Sequence, residues 1–360
     1  MEGTLLRPGA LLPGRLLWTT RGRRSARRRV AGVGSTVIVA GDIGGTKTYL
    51  AAFDPSRRGF APVVEKRYET TGYQSPGALL KTFIDDTDSR PSRVVLGVPG
   101  PVRKLPVRAV NLPWLIDPGE ISQSIGGGEV HLLNDLQATS YGTQVLGVDD
   151  LCALNAGAED KEGNIAVIAA GTGLGEGGLC WAGDRYQSIA SEGGHSTFSP
   201  HSDLEIDLWR YLSAQHGHVS WERVVAGPGL AAIYDFLRQR DPGRESAELR
   251  DALAQGDRSD TVSRFALAQQ SELATEALDL YAYLYGCEAG NLALKLMASG
   301  GVFVGGGIAP KILAKLRDGR FMEGFLDKGR MDEAIASIPV QVILNDKTAL
   351  LGAAYWGAQL

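Results

Sequence analysis

Cysteine is scarce in this 360-residue chain: Cys152, Cys180 and Cys287 are the only three. They stand far apart, without a CxxC pair or the Cys/His spacing of a zinc site, and do not build a disulfide framework. A reducing compartment is the default expectation. Long apolar runs are missing too. No stretch nears the roughly 18 residues that a spanning helix requires, so no membrane partner is expected. Acids are nearly absent from the first 35 positions, where Glu2 stands alone against Arg7, Arg15, Arg21, Arg23, Arg24, Arg27, Arg28 and Arg29. That leader carries +7, so the formal total of −4 leaves −11 on the remainder. A body so acidic is a poor ligand for polyanions, which argues against nucleic acid.

Arg-rich, acid-poor leaders can be organelle transit peptides. The alternatives are a disordered extension or an upstream start that the cell does not use. The expected compartment is cytoplasmic, with plastid or mitochondrion as the alternative if residues 1–35 are a transit peptide.

The residues that are present point to a two-domain globular protein. The length suits two cores, and 44% apolar with 22% charged residues is ordinary for a globular chain. Glycine, at 47 residues, is abundant without a period, which implies many tight turns. "TVIVAGD" and "TYLAAFD" flank a glycine turn and read as a β-hairpin. "RVVLGVPGPV" and "EVHLLND" add strands, with a helix expected near 77–86. "NIAVIAAGTGLGEGGLCW" repeats the strand, glycine turn, strand pattern, and a mostly helical region runs from about Ser202 to Ala298. "GGVFVGGGIAPKIL" then reads as strand, glycine turn and helix, with Pro310 in the first helical turn. The fold class is mixed α/β.

Three glycine turns are candidates for phosphate contact: Gly41 to Lys47, Gly171 to Gly175, and Gly305, Gly306 and Gly307. Glycine lets backbone N–H groups approach an anion with no Cβ in the way; the bland reading is that such glycines only make tight turns. The first turn is not a Walker A loop, because Thr46 stands where that motif requires glycine and a strand comes next instead of a helix. Gly173 to Gly178 fits G-x-G-x-x-G, but the segment after it, "LCWAGDRYQSI", is also strand-like, which excludes the dinucleotide fingerprint.

Asp42 lies in the first turn and Asn134-Asp135 ends a strand. A carboxylate at such a position suits Mg²⁺ held partly through water; Asp135 as a helix N-cap is the competing reading. Glu192 and His195 flank two glycines in "SEGGHSTFSP" and, with Glu222 in "HVSWERVVAGPG", supply groups for a polyhydroxylated ligand. Each also has a plain structural reading, Glu222 as a first-turn helical acid above all.

The ordered set GDIGGTKT, NLPW, LLND, GTGLG, EGGH, HVSWERVVAGPGL, GNLAL, GGVFVGGGI, DKGR and LLGAA, from about Thr36 to Leu360, resembles the bacterial-type glucokinases of the actin-like, hexokinase-like ATPase superfamily. The resemblance implies an α/β, two-domain actin-like ATPase (ribonuclease H-like) fold with an interdomain cleft: residues 36–145 plus 340–360 form a small domain and 146–339 a large one. It implies ATP-dependent phosphorylation of D-glucose at the C6 hydroxyl. Asp135 would be the catalytic base, and Asn134, Asp135, Glu192, His195 and Glu222 the sugar ligands. Asp42, Gly44, Gly45, Thr46, Lys47, Gly171, Thr172, Gly173, Gly305, Gly306 and Gly307 would hold ATP, with Asp42 and Asp135 on Mg²⁺. A homodimer is expected, and no structural zinc, because the CxCGxxGCxE motif of the related repressor/kinase group is missing after EGGH. The alternatives are a kinase for another hexose or amino sugar, and a catalytically silent sugar sensor.

Overall fold

In a computed structural model of the chain, the residues described are 37–360 without 57–59, 110–111 and 159. The Arg-rich leader and Asn111 of NLPW lie outside them.

The first half holds β1 (Ile38–Ile43), β2 (Lys47–Phe53), β3 (Val64–Glu69), α1 (Pro76–Thr87), β4 (Arg93–Val98), β5 (Val107–Arg108), β6 (Leu115–Ile116), α2 (Pro118–Ser124), β7 (Glu129–Asn134) and α3 (Asp135–Gly142). Five of these strands form a sheet in the order β3-β2-β1-β4-β7. Its first three strands are antiparallel and β1, β4 and β7 run parallel. The β-branched, fully buried stretches of β1 and β4 explain that central position, since parallel strands are covered on both faces.

The second half supplies β8 (Leu151–Asn155), β9 (Ile165–Ala170), β10 (Leu174–Trp181) and β11 (Tyr186–Ile189). The helices α4 (Asp203–His216), α5 (Trp221–Val225), α6 (Gly227–Arg240), α7 (Ala247–Gln255), α8 (Arg258–Leu267) and α9 (Glu272–Leu296) come next. Then come β12 (Gly301–Gly305), α10 (Leu313–Leu316), α11 (Arg320–Leu326), α12 (Asp332–Ala336), β13 (Val340–Ile343) and α13 (Thr348–Ala358). The sheet order is β11-β10-β9-β12-β13-β8. Again three antiparallel strands lead into a parallel run, β9, β12 and β13. The chain therefore builds the same five-strand arrangement twice, each opening on a glycine hairpin as the repeated sequence pattern predicts, and antiparallel β8 adds an edge to the second.

Three apolar clusters hold this together. One fills the outer face of the first sheet under α1 and α2, another lies between the second sheet and the long α9. The third joins the sheets: Ala40 and Val95 of the first and Val167 and Phe303 of the second share it with Tyr141 of α3 and Leu350 of α13.

Two sequence expectations change. The helix after the third glycine turn does not begin at Pro310: the backbone turns through 306–312, with Gly306 at φ 81°, and α10 starts only at Leu313. In addition, residues 340–360 do not behave as one piece. β13 pairs with β12 and β8 in the second sheet, while α13 packs on α3, β1 and β4 of the first.

Candidate active site

The first hairpin is pinned from below by threonines. Gly44 N–H donates to the Lys47 carbonyl at 3.0 Å, and the Thr70 hydroxyl donates to the Gly44 carbonyl at 2.8 Å. Fully buried Thr48 lies 2.9 Å from the same hydroxyl. Gly44 has to be glycine, because a Cβ there would meet the Lys47 carbonyl at 2.7 Å. The turn thus presents Gly45, Thr46 and Lys47 outward, with Thr46 and Lys47 exposed.

Asp135 reaches the site through α3. Asn134, not Asp135, is the N-cap: its Oδ1 accepts the Leu136 N–H at 3.0 Å, and Gln137 Oε1 returns a capping-box contact to the Asn134 N–H at 3.1 Å. Asp135 is therefore the first helical residue, where a carboxylate is favoured by the helix dipole. The Asn134 amide also serves the structure, since one N–H of Nδ2 donates to the Gly100 carbonyl at 3.1 Å, which leaves its second N–H for a ligand. Next along the helix, Leu136 lies on a strip of bare backbone: a Cβ on Gly175 or Gly177 of β10 would approach its side chain to 3.2 or 3.1 Å. Gly175 and Gly177 thus let α3 lie across β10, while Gly173 and Gly178 of the same stretch face Glu222 and the Ile165 carbonyl.

The second glycine hairpin closes with Gly171 N–H on the Gly173 carbonyl at 2.8 Å, and Gly227 N–H at the start of α6 donates to the Gly171 carbonyl at 2.9 Å. Glu222 of α5 completes the link. Its Oε2 accepts the Leu174 N–H at 3.0 Å, and its Oε1 lies 3.8 Å from His195 Nδ1. The His195 N–H in turn donates to the Glu192 carbonyl at 3.0 Å. Glu192 lines one cavity with Asn134, Leu136, Gln137, Glu176 and Ser191.

The carboxylates feel one another. Burial pushes Asp42 up to about 6, with the charges of Asp135 and Asp346 adding. Asp135 is raised by burial, opposed by its hydrogen bonds with Leu136 and Asn134, and raised further by Glu192. Asp346, just before α13, carries no motif that would single it out. "NDKTAL" resembles an ordinary helix start, and only the fold brings it beside Asp42. Among the described residues no group of three or more His, Cys, Asp or Glu is close enough to enclose a metal. A divalent ion held by one or two carboxylates and water, as Mg²⁺ usually is near phosphates, fits the mutual repulsion of Asp42, Asp135 and Asp346.

Of the expected residues, Asp42, Asp135, Asn134, Glu192, His195, Glu222, Gly171 and Gly173 are joined by these contacts into one chain of neighbours. The third turn joins it through Ile308 N–H on the Ala170 carbonyl at 3.2 Å, at the base of the second hairpin. Two sheets of matching topology, each opening on a glycine hairpin, are the actin-like ATPase arrangement used by sugar kinases. The glucokinase family profile matches residues 39–360. A glucokinase from Synechocystis sp. is 41% identical over 347 residues, covering 89% of this chain and 98% of that protein. The crystal structure of a glucokinase from an Antarctic psychrotroph superposes with a TM-score of 0.81 at 28% identity, over 90% of this chain and 99% of that one. A ROK family glucokinase from Streptomyces griseus, in complex with glucose and AMPPNP, shares the fold, with a TM-score of 0.60 at 20% identity over 91% and 100% of the two chains. The chain belongs to the glucokinase family.

Proposed function

We infer that this enzyme transfers the γ-phosphoryl group of ATP to the C6 hydroxyl of D-glucose, with Asp135 as the base. The assignment of roles is supported by the links from Asp135 to the charge of Glu192, from the Glu192 loop to His195, and from His195 to Glu222 beside the second glycine hairpin.

Phosphoryl transfer depends mainly on positioning and on charge stabilisation, because its transition state is loose. Glu192, His195 and Glu222 orient the sugar hydroxyls as acceptors and donors, and Asn134 fixes the start of α3. Asp135 takes the C6 proton, which requires reach of about 2.6–3.2 Å in the closed state. Oδ1 of Asp135 already accepts the Leu136 N–H at 2.9 Å, so the second oxygen is the one available to the hydroxyl. Backbone N–H groups and Thr46 and Thr172 hydroxyls of the hairpins would hold the phosphates, with Lys47 at the edge and Gly305, Gly306 and Gly307 toward the adenosine. Mg²⁺, held by Asp42 and Asp135 in part through water, would supply charge neutralisation. Water competes for the phosphoryl group, so closure of the lobe built on the first sheet and α13 against residues 146–339 keeps hydrolysis low. A homodimer and a removable leader at 1–35 belong to the same reading; sedimentation and mass spectrometry of the mature N-terminus check them.

A coupled assay over a panel of hexoses and amino sugars tests the whole. ADP release with glucose, and with no acceptor faster than glucose, is the expected result. Sugar binding with no ADP release would mark a sensor instead.

A further inference from the structure

Beneath the loop that carries Glu192 and His195 lie two buried carboxyl groups that take no part in phosphoryl transfer. Glu176 of β10 is 1% exposed, and Glu288, midway along α9, is 0% exposed. Their surroundings are unequal. Glu288 accepts from Asn291 Nδ2 at 2.8 Å and from Lys295 Nζ at 3.2 Å, one bond to each oxygen. No donor reaches Oε1 of Glu176 among the described residues. A buried carboxylate oxygen without a donor is costly, so the arrangement fits an acid that keeps its own proton and donates it to Glu288. Electrostatics agree with the geometry. Burial pushes Glu176 up to about 8, the charge of Glu288 adds and Lys295 opposes. Glu288 is also raised by burial, but Asn291 and Lys295 hold it down, which leaves Glu176 as the proton holder.

The pair bears directly on the sugar loop. A Cβ on Gly193 would fall 2.1 Å from Oε2 of Glu176, and one on Gly194 would fall 2.0 Å from the Leu174 carbonyl. The loop backbone therefore rests on the carboxyl group and on β10 with no room for a side chain, and Glu176 and Glu192 line one cavity.

We propose that Glu176, neutral through a proton shared with Glu288, is a positioning residue that seats the Glu192–His195 loop for the sugar. The inference rests on assigning that loop to glucose. Glu176 touches no reacting atom and acts through Gly193. Losing the shared proton puts two like charges into one buried space below a third, Glu192, and drives the loop off the strand. The groups that face the pair are Tyr285, Asn291 and Lys295 on α9, Glu192 on the loop, and Lys328 beyond α11. Tyr285 is raised by burial and stays neutral across this range; Lys328 is lowered by burial.

The proton is in place below about pH 8 and is lost above it. If only the protonated form seats the loop, the apparent Kd for glucose grows as that form is depleted, about tenfold one pH unit higher. Calorimetric titration of the full-length protein with glucose, without nucleotide, from about pH 7 to about pH 9 tests this on wild type, Glu176→Gln and Glu288→Gln. Glutamine keeps the shape and an N–H for the neighbouring carboxylate. Wild type should weaken about tenfold across the range, and both variants should stay within about twofold, so either one suffices if the other does not fold. A flat wild-type profile, or an alkaline loss that persists in the variants, overturns the role of Glu176 and leaves the kinase assignment standing. Absence of glucose binding at every pH overturns both.

Discussion

Oε2 of Glu222 accepts the backbone N–H of Leu174 at 3.0 Å, so a side chain of α5 holds the strand that leaves the second glycine hairpin. Its other oxygen lies 3.8 Å from His195 Nδ1. Packing leaves no slack in this link, since a Cβ on Gly173 would come within 2.6 Å of the same carboxylate oxygen. One carboxylate therefore ties the Glu192–His195 loop to the second glycine hairpin.

Removal of that carboxylate should disturb both substrates. Glu222→Ala strips a charge-assisted hydrogen bond from a backbone donor, a loss of about 1.5–3 kcal/mol. The KM values for glucose and for ATP should both rise, roughly tenfold or more. Glu222→Gln keeps an oxygen for the Leu174 N–H, so its ATP KM should remain near wild type while the glucose KM rises. Steady-state kinetics with each substrate varied in turn measure this, and an unchanged ATP KM in Glu222→Ala would remove the link.

Asp135→Asn separates chemistry from binding. Asparagine preserves the size of the side chain at the first turn of α3, and Asn134 continues to cap the helix. Turnover should fall at least about 10²-fold, the lower end for a general base, while calorimetric glucose affinity changes little. Turnover close to wild type would take Asp135 out of that role.

The fold was legible in the sequence where backbone demands leave a local mark. Both glycine hairpins stand where "GDIGGTKT" and "GTGLG" place them, and α1 spans the expected 77–86. The hidden features depend on contacts between distant segments. Asp346 carries no local signal and meets Asp42 only because α13 returns to pack on β1 and β4. Leu136 explains Gly175 and Gly177 only once α3 lies across β10. The boundary at 340 was opaque for the same reason: an apolar strand and the helix after it can serve different sheets, and periodicity does not say which. At Asn134-Asp135 both residues are good N-caps and both accept the Leu136 N–H; only the extended backbone of Asn134 and the Gln137 contact to its N–H separate them.

Asp42 should cost the metal-free protein stability at neutral pH. Its folded pKa, about 6, is raised from 3.8 by burial and then by Asp135 and Asp346. The folded state thus holds the proton more tightly than the unfolded chain does. The stabilising effect of that proton is complete below about pH 4 and is lost as pH rises through about 6. Asp42→Asn removes the buried charge. In the presence of a chelator its Tm at pH about 7.5 should exceed wild type by on the order of 3 °C, and the gap should close toward pH about 4.5. A gap of equal size at both pH values would show that the charge is not its source.

The third glycine turn makes the sharpest distinction between neighbours. Gly306 has φ 81°, and a Cβ there would lie 2.2 Å from the Ala170 carbonyl at the base of the second hairpin. Gly307 has open space where its Cβ would be and no such backbone strain. Gly306→Ala must therefore move backbone against backbone and should destabilise by about 1–3 kcal/mol, the usual range for a strained residue. Because Ile308 N–H also bonds the Ala170 carbonyl, the shift reaches the second glycine hairpin; if that hairpin holds the phosphates as proposed, the ATP KM should rise while the glucose Kd holds. Gly307→Ala should leave Tm within about 1 °C of wild type, as an unstrained exposed change does. Equal Tm losses in the two variants would show that the turn is deformable and that its glycines serve the nucleotide alone; thermal melts and ATP-dependent kinetics of the pair distinguish the cases.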